Sequence, residues 1–162
     1  MSNFLKNLFL CLVCFSNIAK AASDYTCTLS TTAINFGNYN PLSAANNDTT
    51  GNIAVTCQII SGNNAVVSYV IILSTGNSLS YAQRYMNFGN NQLNYNIYTN
   101  TNRTSIWGNG TQSSTTISNS YVLSRQEYPQ KTDNFTTYAR APGSQNLPSG
   151  VYNDTITVTV NF

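Results

Sequence analysis

Tyr152-Asn153-Asp154-Thr155-Ile156-Thr157-Val158-Thr159-Val160-Asn161-Phe162 decides how the chain folds. Ile156, Val158, Val160 and Phe162 share one parity, and Asn153, Thr155, Thr157, Thr159 and Asn161 share the other. A period of two puts each set on its own face of a pleated strand, so the segment reads as a half-buried β-strand. Its β-branched residues favour that pleat. The strand runs to the last residue of the sequence. Chain ends fray unless tied down, so Phe162 is expected to pack against the domain.

The same period recurs upstream. Ile53, Val55, Cys57 and Ile59 alternate with polar residues, as do Leu93, Tyr95 and Ile97. Ala65 to Leu73 is a nearly continuous apolar run suited to a central strand. Further strands are expected around Ile117, Tyr121 and Leu123, and around Phe135, Thr137 and Ala139. Tyr25, Cys27 and Leu29 open the series, but Ile34 and Phe36 take the opposite parity. That switch at Thr31-Thr32 predicts a bulge or break in the first strand. Loops are expected over 37–48 with Pro41, over 74–78, over 100–116 around the single Trp107, and over 142–150. No window shows helical spacing with caps. Seven or eight short strands separated by turns predict one all-β domain, an immunoglobulin-like β-sandwich spanning residues 22–162.

Composition narrows the chemistry. Charged residues are 7% of the 162, against about 25% in an ordinary soluble protein. The polar surface comes instead from 25 Asn, 20 Thr and 18 Ser. The chain has no histidine, which excludes Ser-His-Asp and Cys-His catalysis, histidine-ligated zinc and the HExxH metalloproteases. No nucleophile–base pair, metal cluster or phosphate loop is visible, so the expectation is a protein that is not an enzyme and needs no cofactor.

Residues 1–21 read as a secretory signal peptide. Lys6 supplies the positive start, Leu8–Phe15 the apolar stretch and Ala19-Lys20-Ala21 the cleavage pattern. The apolar stretch is too short for a bilayer, which takes about 20 residues, so no membrane insertion is expected after cleavage. Removing Lys6 and Lys20 leaves Arg84, Arg103, Arg125, Lys131 and Arg140 against Asp24, Asp48, Glu127, Asp133 and Asp154. The balance is zero and no basic cluster survives, which argues against nucleic acid as a partner.

Cys27 and Cys57 alone remain after cleavage, an even count in an exported chain. Both lie on the apolar parity of their strands, so they read as a disulfide inside the core. Free thiols or part of a metal site are the alternatives. A bridge closing about 30 residues would be worth roughly 3.5 kcal/mol in the chain-entropy model.

Other candidates are weaker. Paired-carboxylate catalysis would need two of the five acidic residues, and Asp154 reads better as a turn or edge hydrogen-bond acceptor. Asn-x-Ser/Thr sequons at Asn47, Asn102, Asn109, Asn134 and Asn153 are no more than such a composition gives by chance. Tyr81, Tyr85, Tyr95, Tyr98 and Trp107 could stack on sugars, with Trp107 and Tyr98 as candidate surface-binding residues, though aromatics are first of all strand formers and core fillers. Arg84 has no catalytic companion and reads as a packing or ion-pair residue.

Several elements together resemble the spore coat protein U domain, shared with archaic (Csu-type) chaperone–usher pilins. They are Cys27, Phe36-Gly37-Asn38-Tyr39-Asn40-Pro41, Gly51-Asn52-Ile53-Ala54-Val55-Thr56-Cys57, and the Tyr69–Leu73 strand followed by Gly76. Then come Arg84-Tyr85-Met86, Leu93-Asn94-Tyr95-Asn96-Ile97-Tyr98, Trp107-Gly108 and Pro148-Ser149-Gly150-Val151-Tyr152-Asn153-Asp154-Thr155 with the Thr-Val-Thr-Val ending. The order and spacing of these elements carry the resemblance across the whole mature chain.

The resemblance implies a sandwich lacking its last strand. A periplasmic chaperone lends a strand to the open groove, and another pilin subunit replaces it at an outer-membrane usher. Ile156, Val158, Val160 and Phe162 are then the groove-lining candidates. The implied function is a secreted structural subunit of a surface pilus or coat, with a role in adhesion or biofilm. A non-polymerising coat protein and a glycan- or surface-binding adhesin module are the alternatives. Only Ala22–Thr26 precede Cys27 in the expected mature chain, too few for a donor strand with its linker. The chain is therefore expected to accept a strand rather than give one.

Overall fold

A computed structural model describes residues 24–162. The signal peptide expected over residues 1–21 lies outside the described residues. Eight strands follow in order: β1 (Tyr25–Thr32), β2 (Asn47–Ile59), β3 (Asn64–Leu73), β4 (Arg84–Phe88), β5 (Asn91–Tyr98), β6 (Ile117–Ser124), β7 (Gln130–Ala141) and β8 (Val158–Asn161). They form a five-stranded sheet, β1-β2-β7-β5-β4, and a three-stranded sheet, β6-β3-β8. All pairings are antiparallel. The alternating apolar residues of β2, β3 and β5 are buried and meet in one core with Trp107, Leu123, Ala139 and Ala141. This is the all-β sandwich that the period-two pattern predicts.

Cys27 stands directly opposite Cys57 in the β1–β2 register, and the two form a disulfide. Both sulfurs belong to the core side of their strands, as their parity requires. The first strand breaks after Thr32, where the parity switches. The reason is Gly51. A Cβ added there would stand 2.7 Å from the Thr32 carbonyl oxygen and 3.1 Å from Ile34 Cγ1. Without that Cβ the chain can leave the ladder and carry Ile34 inward across β2.

Three elements differ from the sequence expectation. The 37–48 loop ends early, because β2 already pairs with β7 at Asn47↔Ala141. The Arg140 guanidinium donates to both Asp48 oxygens, at 2.7 and 2.8 Å, and Arg103 approaches Asp48 at 3.3 Å. That polar staple extends β2 back beyond Ile53, the first of its alternating apolar residues. Strand β4 has no apolar alternation to announce it, since its buried inward residue is Arg84. The last strand is shorter than 152–162. Only 158–161 pair with β3, while Asn153 makes an isolated bridge to Asn87 of β4.

Trp107 corrects another expectation. Its place in a loop predicts a surface residue, but it is completely buried. Its indole N–H donates to the Ile71 carbonyl at 3.2 Å. The 99–116 connection folds back onto the core through the Tyr98↔Ile106 and Trp107↔Thr115 bridges, so loop sequence here does not mean exposed side chain.

Arg84 lies beneath the same region and is fully buried. Its Nε and Nη2 donate to the Ser74 carbonyl at 3.1 and 2.8 Å, Nη2 also to the Trp107 carbonyl at 2.8 Å, and Nη1 to Asn96 Oδ1 at 2.7 Å. Its guanidinium also sits over the Tyr81 ring, 5.1 Å from the centroid. No carboxylate forms a salt bridge with it among the described residues. Burial pulls its pKa below the usual guanidinium value, and the nearby tyrosines and Asp154 oppose that pull. The cation is held by oriented carbonyls rather than a counter-ion, and Asn96 passes the network on to the Tyr81 and Ala82 carbonyls.

Two outcomes follow for stability. Cys57→Ser lowers the unfolding free energy by about 3 kcal/mol, read by urea denaturation against the oxidised parent. Arg84→Lys costs about 3 kcal/mol, because one ammonium cannot span Ser74, Trp107 and Asn96 and leaves buried acceptors unserved. The same urea titration measures it.

Candidate functional site: an open cleft between two sheet edges

Strand β1 pairs only with β2, and β8 only with β3. Each therefore presents a free edge among the described residues. Beside these edges lies a cleft of about 360 Å³. One wall is Ala33, Ile34 and Phe36, just past the break in β1. The other is Asp154 to Ile156 with Val158, the segment leading into β8. The buried residues Ile53, Ile97 and Thr137 of β2, β5 and β7 form the floor. The cleft continues into a second recess between 33–39 and 147–153, of about 670 Å³.

The backbone along both walls is short of partners. Among the described residues, no backbone–backbone hydrogen bond outside the strand ladders involves residues 33–36 or 154–156. Ser74 N–H donates to the Thr157 carbonyl at 3.0 Å, and Thr157 N–H donates to Ser74 Oγ at 2.9 Å. This pair continues the Leu73↔Val158 register. Antiparallel bonding alternates along a strand, so odd-numbered residues bond toward β3. The N–H and C=O groups of Ile156, Val158 and Val160 consequently point to the free edge.

Asp154 fixes the second wall. Its Oδ1 accepts the N–H groups of Asn77 at 2.8 Å and Thr155 at 2.7 Å. Its Oδ2 accepts the Tyr95 hydroxyl at 2.7 Å. Burial, and then this bond, raise the Tyr95 hydroxyl well above its ordinary pKa, so it is a permanent donor. Gly76 has φ +66°, and a Cβ there would run into the Asp154 carboxylate. Glycine is thus required at the turn that receives Asp154. The carboxylate ties the 152–157 segment to the turn after β3 and to β5.

The residues named from sequence separate along this edge. Ile156 and Val158 line the cleft. Val160 is half-buried against the core beyond it. Phe162 is 62% exposed, with its ring 5.9 Å from that of Tyr69 and 6.3 Å from that of Tyr25. It closes the far end, where β1 begins and β8 finishes. The aromatic set proposed for sugar stacking is taken apart. Trp107, Tyr81 and Tyr95 are buried, Tyr85 donates its hydroxyl to the Asn77 carbonyl at 2.8 Å, and Tyr98 is half-buried. The opposite wall at Ala33–Phe36 and the Thr137 floor were not singled out from sequence. The parity switch at Thr31-Thr32 was the signal for the wall.

The comparisons with known proteins fit this geometry. The Spore Coat Protein U domain matches residues 14–159. Protein U of Myxococcus xanthus is 28% identical over 136 residues, covering 80% of this chain and 71% of that protein. A similar fold occurs in the solved CsuC–CsuE chaperone–tip adhesion subunit pre-assembly complex from the archaic chaperone–usher Csu pili of Acinetobacter baumannii, with a TM-score of 0.54 and 20% identity. That match covers 85% of this chain and 40% of the other, so this chain spans less than half of the one it resembles. With the family matched over nearly all the described residues, this chain belongs to the Spore Coat Protein U domain family.

Proposed function

We propose that the protein is a secreted structural subunit of a surface pilus or fibre, completed by a β-strand from another chain. A periplasmic chaperone supplies that strand first, and a neighbouring subunit replaces it at an outer-membrane usher. The fibre then serves adhesion or biofilm formation. The observation that carries this reading is the cleft itself. An apolar trough flanked by unpaired backbone is what strand addition fills, with main-chain bonds giving affinity and side-chain pockets giving selectivity. The fold similarity to a subunit from a chaperone–subunit pre-assembly complex supports the same reading. Uncovered, such an edge recruits unwanted strands, which is the physical need for a chaperone.

The second reading is a coat protein that does not polymerise. The match to the Spore Coat Protein U domain over residues 14–159 supports the coat part of this reading. Electron microscopy of cells producing the protein separates the two, since only the first reading gives fibres containing this chain. A glycan-stacking surface built on Trp107 and Tyr98 loses its central residue to the core.

The test uses the periplasmic chaperone that this reading requires the producing cell to encode. Soluble periplasmic yield should rise severalfold on co-expression, and the two should co-purify. Val158→Asp or Ile156→Asp should abolish the complex by placing a charge in the apolar trough. Thr159→Asp, on the exposed parity, should leave it largely intact. A monodisperse monomer made equally well without the chaperone would count against the proposal.

A further inference from the structure

The floor of the cleft holds a polar atom that the folded chain leaves unserved. Thr137 is only 4% exposed and lines the cleft. Its Oγ1 is buried and has no hydrogen-bond partner. The hydroxyl is folded down onto β2, 2.8 Å from where a Cβ on Gly51 would stand, and Gly51 is its partner in the β2–β7 register. The surrounding floor is Ile53 and Ile97. The next inward residues of β7 are apolar: Phe135, Ala139 and Ala141. Valine has the same shape and would fill this place with nothing left unpaired.

The other polar residues at the cleft are differently placed. Asp154 already accepts three hydrogen bonds. Thr31, Thr32, Asn153 and Thr155 are exposed at the rim, and Asn52 is only half-buried. Thr137 is thus the buried, unpartnered hydroxyl of the trough among the described residues. Rotation about its Cα–Cβ bond to another staggered position carries the hydroxyl off β2, into the place now held by the methyl or the Cβ hydrogen, where the cleft can reach it. While the cleft is open, water can serve it there. An entirely apolar strand would expel that water and bury the hydroxyl unpaired. The backbone of an incoming strand cannot serve instead, because its N–H and C=O groups point sideways to the two edges.

We infer that Thr137 determines specificity in the cleft, and that the strand filling it carries a small hydroxylated side chain, serine or threonine, at the inward position above Thr137. This rests on the strand-acceptor reading above and adds a polar match to an apolar series. Isoleucine or leucine at that position is disfavoured, because it pairs with nothing and crowds Ile53 and Ile97.

The test uses fluorescein-labelled synthetic peptides with valine at five inward positions, threonine between them and a lysine at each end. In each of five further peptides one valine is replaced by serine. Fluorescence anisotropy measures their affinity for the full mature chain released from its chaperone. Serine should bind roughly tenfold tighter than valine at a single inward position, the size of one net hydrogen bond, and weaker at the others. Thr137→Val should remove that preference while still binding the parent peptide. Thr137→Ser should keep it. Serine disfavoured at every position, or a preference that persists in Thr137→Val, would overturn the inference alone. No uptake of any peptide, including the parent, would overturn the strand-acceptor reading and this inference together.

Discussion

The carboxylate of Asp154 and the carbonyl of Ser74 set where the second wall of the cleft can stand. Ser74 receives two donors from Arg84 through its carbonyl and pairs with Thr157 through its N–H. Asp154 anchors the adjoining residues to the Asn77 turn and to Tyr95 of β5. The chain from 152 to 157 is therefore held by side chains on a side where ordinary ladder bonds are few. That leaves the N–H and C=O groups of the even-numbered residues of the following strand pointing to a free edge, without a strand partner among the described residues. A sandwich whose last ladder ended here through simple fraying would lack these anchors.

Such an arrangement asks the rest of the domain to be stable without the missing contacts. The Cys27–Cys57 bridge locks the edge strand β1 to β2, and the cleft opens farther along β1, at Thr31 and Thr32. The Arg84 network locks the turn after β3 to β5 and to the 99–116 connection. Both are buried, and each holds an element that borders the cleft: β1 in the first case, the Ser74 turn in the second. A buried arginine served by carbonyls is costly to desolvate, yet its donors have fixed directions. That gives Ser74 a defined position, which apolar packing alone specifies less sharply.

How far the sequence shows this depends on the kind of interaction. Strands made by apolar alternation were legible: Ile53 to Ile59, Ala65 to Leu73 and Leu93 to Ile97 form where the period places them, and the cysteines pair as their parity implies. Elements held by polar contacts were not. The Asp48–Arg140 pair extends β2 and β7 through residues that look like loop, and β4 has a charged residue on its buried side. Trp107 was misplaced because the polar stretch around it is a folded-back connection, fastened by backbone bridges that leave no hydrophobic pattern. At the cleft, alternation gave the parity of Ile156 and Val158 but not the end of the β8 ladder. That depends on Asp154 and Ser74, partners distant in sequence. The alternation marks Thr137 only as a strand residue, since whether a hydroxyl has a partner is decided by neighbours on other strands.

The two walls differ in rigidity, and that bears on how a strand would enter. Residues 152–157 are pinned by Asp154 and Ser74, so their free edge is ready to pair without rearrangement. Residues 33–36 hang on fewer contacts: Thr49 Oγ1 donates to the Asn35 carbonyl and Asn47 Nδ2 to the Phe36 carbonyl, and the Phe36 ring meets Tyr95 edge-on at 5.8 Å. A strand that pairs first with the fixed edge at Ile156 and Val158 pays little ordering entropy there. The looser wall can then close over it, with Ile34 already turned inward across Gly51. The far end offers no such entry, because the Phe162 ring meets Tyr69 edge-on and Tyr25 at a tilt, between the start of β1 and the end of β8. Pairing should therefore begin at the Ile156 end and proceed toward Val160, with the Phe162 ring the last contact to yield.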